Sequence, residues 1–158
     1  MAALLIALAA LAVIAWDLWR SRRDARRWLV FARAVPFVVV SGLSLLAASR
    51  APHGRKAFSL DASVSAADLA QSMTKVPHLK SIAVIFLLAV IAFGVSRLTV
   101  AFAATMLIGI GWELAEGTVV GHHARVADLA PNIASGLACL AIVALMRWIA
   151  NAVRRNAA

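Results

Sequence analysis

Five apolar segments take up most of this chain, and a soluble fold of its length has no interior large enough to bury them. They run over about residues 2–19, 28–48, 81–96, 98–114 and 133–153. Crossing the hydrocarbon core takes about 20 helical residues, with a range of roughly 17–25. Backbone polar groups in lipid must pair internally, which leaves helices or closed barrels. Barrel strands alternate apolar and polar residues, and these segments do not. The expected fold is therefore all-α, a polytopic membrane helical bundle forming one domain with about five transmembrane helices.

Composition supports this reading. Of the 158 residues, 63% are hydrophobic and 15% are charged, whereas soluble domains are about 45–50% apolar and about a quarter charged. The net charge of +9 comes from sixteen Lys and Arg against seven Asp and Glu. The basic residues sit between apolar runs and form no basic helix, so they point to lipid headgroups rather than to nucleic acid. The single cysteine, Cys139, excludes a disulfide framework within one chain. At the N-terminus the positive charges follow the apolar stretch instead of preceding it. That order argues for a retained span with its N-terminus outside, since a cleaved signal has the reverse order.

Charge asymmetry sets the expected topology. Threading five spans places ten basic and two acidic residues on one side, and six basic and five acidic on the other. The basic side belongs in the cytoplasm, which gives an outer N-terminus and a cytoplasmic C-terminus. Trp16, Trp19, Trp28 and Trp148 then fall at inner span ends and Trp112 at an outer one, as interfacial rings do. The longest connection, Arg50 to Pro77, lies outside. Within it Ser65-Ala-Ala-Asp68 reads as a capping box opening a short interfacial helix over Ala66–Thr74, with Pro77 separating that helix from the third span. Pro36, near the start of the second segment, should not divide it in two.

Polar residues at membrane depth are costly and usually have a reason, and here most of them gather at one end. Glu113 and Glu116 are three apart at the outer end of the fourth segment. Asp128 and Asn132 are four apart at the start of the fifth, on one helix face, with Ser135 and Cys139 beyond them. Lys75 and His78 open the third segment, and His122, His123 and Arg125 lie in the loop between. The expectation is one outward polar pocket holding His78, Glu113, Glu116, Asp128 and Asn132, with Lys75 or Arg125 neutralising part of its charge. Plainer roles exist for each residue. Glu113 and Glu116 suit a solvated helix end, Asp128 suits a helix N-cap, and Asn132 and the small residues suit helix packing. No HExxH, GxSxG or glycine-rich phosphate loop is present, so neither a metal nor a cofactor is expected.

The stretches TKVPHLKSIAVIFLLAVIAFG, WELAE and GHHARVADLAPNIASGLACL resemble the VanZ-like membrane protein family. That family carries Lys-x-x-His at one span start, Glu-x-x-Gln at the next span end and Asp-x-x-x-Asn at the last span start. Lys75 and His78, Glu113, and Asp128 and Asn132 match those elements, and the likeness covers about residues 34–146. The chain departs from the pattern at Thr74, Glu116 and His122, with Arg125 near the last. Its Glu-x-x-Glu also resembles YjdF-like membrane proteins, a second choice. The resemblance implies a bacterial inner-membrane envelope protein, in a family whose name-giving member is linked to glycopeptide resistance. Three functions stay open at this point. They are recognition of a lipid-linked or glycan ligand, an intramembrane enzyme using Glu113, Glu116 or Asp128, and a structural subunit bound to other membrane proteins. The partners so implied are membrane lipids, a lipid-linked or glycan ligand in the first two readings and other membrane proteins in the third, with no nucleic acid. An outward cavity would favour the first two, and a pocket plugged by side chains the third.

Overall fold

The structure, a computed structural model, describes Ala12, Trp16 and residues 27–157. The first apolar segment, 2–19, lies almost wholly outside the described residues. The rest is a helical bundle. α1 (Arg27–Ala48) leads through a long connection to the short α2 (Ala66–Met73). α3 (Val76–Phe93) and α4 (Leu98–Glu116) follow, joined by a 3₁₀ turn at Val95–Arg97. A second loop and a 3₁₀ turn at Val126–Asp128 lead into α5 (Leu129–Asn156). α3 is the hub and packs against α1, α4 and α5.

Three helical stretches, Val76–Phe93, Val95–Glu116 and Val126–Asn156, are long and apolar enough to cross a membrane. At 1.5 Å rise per residue even the 18-residue α3 reaches about 27 Å. Their burial pattern matches that use. On α1 a stripe at Ala34, Phe37, Ser41, Leu45 and Ala48 is buried, and the outward face is still apolar, with Val35, Val39, Leu43 and Leu46 exposed. α3 buries Ile82, Ile85, Phe86, Ala89, Val90 and Phe93 and exposes Val84, Leu87 and Ile91. A soluble helix would put charge on that outer face. Phe37 and Phe93 meet edge to face at 5.8 Å and join α1 to α3. α5 is buried only near its start, and Ile142, Leu145, Met146, Ile149 and Val153 all face outward.

Several boundaries correct the sequence reading. The third helix begins at Val76, not Ser81, because Pro77 sits in its first turn, where a missing N–H costs nothing. Pro77 therefore starts this helix and does not separate it from α2. That break falls at Thr74 and Lys75. The helix ends at Phe93, since Gly94 takes φ +84°, which other residues rarely adopt. The fourth helix extends to Glu116 rather than 114, and the fifth covers Leu129–Asn156 rather than 133–153. Pro36 lies inside α1 and does not divide it. α2 carries the expected capping box, with Ser65 and Asp68 each bonding the other's backbone N–H.

Residues 54–61 of the long connection are stitched to the loop after α4, forming a cap over that end of the bundle. β1 (Leu60–Asp61) pairs in parallel with β2 (Ala124–Arg125). Lys56 N–H donates to the Thr118 carbonyl and Ser59 N–H to that of Gly117, both at 3.0 Å. Phe58 lies so close to Gly117 that a Cβ there would stand 2.6 Å from its ring and 3.0 Å from the Ala124 Cβ. Gly117→Ala should therefore cost about 1 kcal/mol by overpacking and push Phe58 outward. The expected result is faster proteolysis within residues 50–65, with the long apolar helices still protected.

Candidate functional site

The cap end of the bundle carries polar groups in three successive layers. The outermost is an ion-pair network on α2 and the two strands. Arg125 reaches Asp68 at 2.8 Å and Asp61 at 3.5 Å. Of the two cations expected to neutralise part of the pocket's charge, Arg125 gives its side-chain ion pairs to Asp61 and to Asp68 of α2, and Lys75 pairs with Asp128. Asp61 is held below the usual carboxylate range chiefly by the hydroxyl and N–H of Ser63. Asp68 is lowered mainly by those of Ser65, and Arg125 adds to both effects. Groups with depressed pKa values stabilise the fold above their ordinary value and lose that contribution as pH falls through the folded value. The cap should therefore loosen as pH drops below about 3.9, the ordinary aspartate value. Limited proteolysis of residues 50–65 across that range would measure it.

The second layer is Asp128 with Lys75 and Ser72. The Lys75 ammonium donates to Oδ2 and the Ser72 hydroxyl to Oδ1, each at 2.6 Å. Asp128 is only 1% exposed. It occupies the N-cap position of α5, yet its side chain makes no capping bond. Its carboxylate instead straps the end of α2 and the start of α3 to α5. Ser72 was not singled out from the sequence. The available signal was its three-residue spacing before Lys75, itself three before His78.

The third layer lies one helical turn deeper and differs in kind. Glu113 and Asn132 are 4% and 2% exposed. The His78 Nδ1 stands 3.6 Å from the Glu113 Oε1, beyond hydrogen-bond distance. Neither Glu113 oxygen, neither polar atom of the Asn132 amide nor the His78 Nδ1 makes a hydrogen bond of good geometry within the protein; the donor that faces the Glu113 carboxylate is the Arg125 backbone N–H. The backbones come close here because α4 has glycine at 109, one turn before Glu113. A Cβ at that position would stand 3.1 Å from the Asn132 Nδ2. One turn further along α5, the Ser135 hydroxyl donates to the Leu79 carbonyl at 2.7 Å and fixes α5 to α3.

Glu116 points elsewhere. The Trp112 indole N–H donates to it at 2.7 Å, and the exposed His122 lies 4.0 Å away. Trp112 in turn lies against His78, with ring centroids 5.2 Å apart. The expected single pocket is thus resolved into pairs. Lys75 goes with Asp128, His78 with Glu113, and Glu116 with His122, while Asn132 faces Gly109 and Arg125 belongs to the cap. Trp112, assigned from the sequence only to the interfacial belt, joins the two histidine–glutamate pairs. His123 lies apart, against Ser59 and Lys56.

No protein-family profile, curated protein or solved structure matches this chain.

The two cavities described in the bundle are lined almost entirely by apolar side chains, and neither is lined by Lys75, His78, Glu113 or Asp128. Among the described residues no group of three or more His, Cys, Asp or Glu side chains is placed to hold a metal ion. The chemistry available is hydrogen bonding. Three acceptor atoms, one amide donor and one imidazole nitrogen are buried at this end of the bundle without a hydrogen bond of good geometry.

Proposed function

We propose that this chain is a VanZ-like protein of the bacterial inner membrane. It crosses five times, with the N-terminus outside and the C-terminus in the cytoplasm. In this reading it recognises the polar part of a lipid-linked or glycan ligand through His78, Glu113 and Asn132. One observation carries the reading, namely the five unpartnered polar atoms of those residues. Each buried unsatisfied group costs about 1–3 kcal/mol, and more when charged. Helix packing alone would not retain such a cost, because leucine packs as well without it. A ligand with complementary hydrogen bonds offsets it.

The structural-subunit reading has one point in its favour. Toward the cap Ser72 and Lys75 close on Asp128 one turn above the cluster, and neither described cavity is lined by His78 or Glu113. Lipid and glycolipid identification on purified protein separates the two. A specific bound species that disappears in Glu113→Gln supports recognition. An unchanged set of species supports the packing role. Reporter fusions test topology independently. A fusion at Ala158 should report the cytoplasm, one within residues 50–77 should report the outside, and the reverse result overturns the orientation.

A further inference from the structure

Charge at the cap end is shared unevenly. Every described carboxylate there stands beside a cation or an imidazole, Asp61 and Asp68 by Arg125, Asp128 by Lys75, Glu113 by His78 and Glu116 by His122. Among the described residues, Arg50, Arg55, Lys56 and Lys80 have no carboxylate within ion-pair distance. The first three are gathered where α1 runs out. The Arg50 N–H donates to the Ala47 carbonyl at 3.1 Å and closes the last turn. The Arg55 guanidinium reaches back to the Ser49 carbonyl at 3.1 Å and across to the Thr118 hydroxyl at 3.3 Å. The Lys56 ammonium lies 3.4 Å from the His123 Nδ1. Backbone bonds from Lys56 to Thr118 and from Val120 to Gly54 hold this stretch against the loop after α4. The backbone that carries the surplus charge is therefore fixed, and Arg50 and Arg55 are exposed.

The surface below these cations is apolar. On the outward face of α1, Leu43 and Leu46 are 60% and 63% exposed, and Arg50 follows Leu46 at the spacing of one helical turn. Beside the cations, Phe58 and Leu60 are more than half exposed. Cations at the end of an exposed apolar stripe, with apolar side chains next to them, are the makings of a surface that meets lipid.

We infer that Arg50, Arg55 and Lys56 form a docking surface for the anionic head groups of the adjoining leaflet, with Phe58 and Leu60 set into the interface beside them. Guanidinium and ammonium groups bind phosphate oxygens through charge-assisted hydrogen bonds. The source of the phosphate is a lipid, because the cations stand at the end of the outward stripe of α1 and the same stretch offers apolar side chains that a soluble anion cannot use. The surface is separate from His78, Glu113 and Asn132, and it acts in the same way on whichever side of the membrane the cap lies.

The test is photolabelling of the full-length protein in phosphatidylcholine vesicles that contain a small fraction of a head-group-photoactivatable lipid, either phosphatidylglycerol or phosphatidylcholine. The phosphatidylglycerol probe should label residues 50–60 above the phosphatidylcholine probe, and the ratio should fall as salt rises, because the charges are exposed. One cation near an anionic surface is worth about fivefold in lipid preference at low salt. Arg50→Gln and Lys56→Gln should each lower the ratio by up to that factor, and Arg50→Lys, which keeps the charge, should retain it. The Arg50 side chain carries none of the bonds that hold the cap, so its replacement reads charge and not folding. Equal labelling by the two probes, or a ratio unchanged in the Arg50→Gln, Lys56→Gln double variant, overturns the surface. Loss of the preference on adding soluble glycerol phosphate at matched ionic strength also overturns it, since the cations would then take a soluble anion instead of a lipid.

Discussion

Replacing Lys75 with alanine should cost about 3 kcal/mol of stability. The carboxylate it neutralises is almost fully buried, and removing one partner of a buried pair leaves an uncompensated charge, which costs about 3–5 kcal/mol. The lower end applies for two reasons. The Lys75 side chain is 34% exposed, and Asp128 keeps the Ser72 hydroxyl. Pairing Lys75→Ala with Asp128→Asn should recover most of the loss, because a neutral amide still accepts from Ser72 and leaves no charge. Thermal or denaturant unfolding in one detergent would compare the three variants with the parent. A loss below about 1 kcal/mol for Lys75→Ala would place this pair among ordinary surface ion pairs and remove the strap joining α2, α3 and α5.

The second large effect has the opposite sign. Glu113→Leu should raise stability by about 1–3 kcal/mol, because it removes a buried carboxyl group that has no hydrogen-bond partner. Asn132→Leu should act in the same direction. Stabilisation with loss of activity is the pattern of a site that accepts strain for function. A glutamate serving the fold would instead lose stability on replacement. Unfolding measurements in ligand-free detergent therefore separate a site from a structural element. A marked fall in stability for Glu113→Leu would show that the carboxyl makes contacts essential to the bundle.

The long helices were readable because their outward faces are apolar over most of their length, a pattern water would not permit. The pairing of His78 with Glu113, and of Lys75 with Asp128, was within reach of the sequence. These residues fall at the ends of consecutive antiparallel helices on one side of the bundle. The partners of Arg125 were not readable. Five carboxylates lay on the same side of the bundle, and the choice of Asp61 and Asp68 follows from the parallel pairing of β1 with β2, strands of only two residues. A strand pair that short leaves no periodic signal. The start of α3 was misplaced because Pro77 was read as a break, whereas it fits the first turn of a helix. The sequence pattern put both glutamates in one pocket because a three-residue spacing shares a face. Near the last turn of α4, however, that face spans the boundary between bundle interior and loop, so Glu113 is buried and Glu116 turns to His122.

The central claim is that the polar atoms of His78, Glu113 and Asn132 receive the polar part of a lipid-linked or glycan ligand. Native mass spectrometry of the purified protein, released from detergent with its bound lipids, tests it most directly. The account predicts one species of defined mass on the parent protein, absent from both Glu113→Gln and Asn132→Leu, with all three proteins equally folded. The same adducts in equal abundance on all three would contradict it.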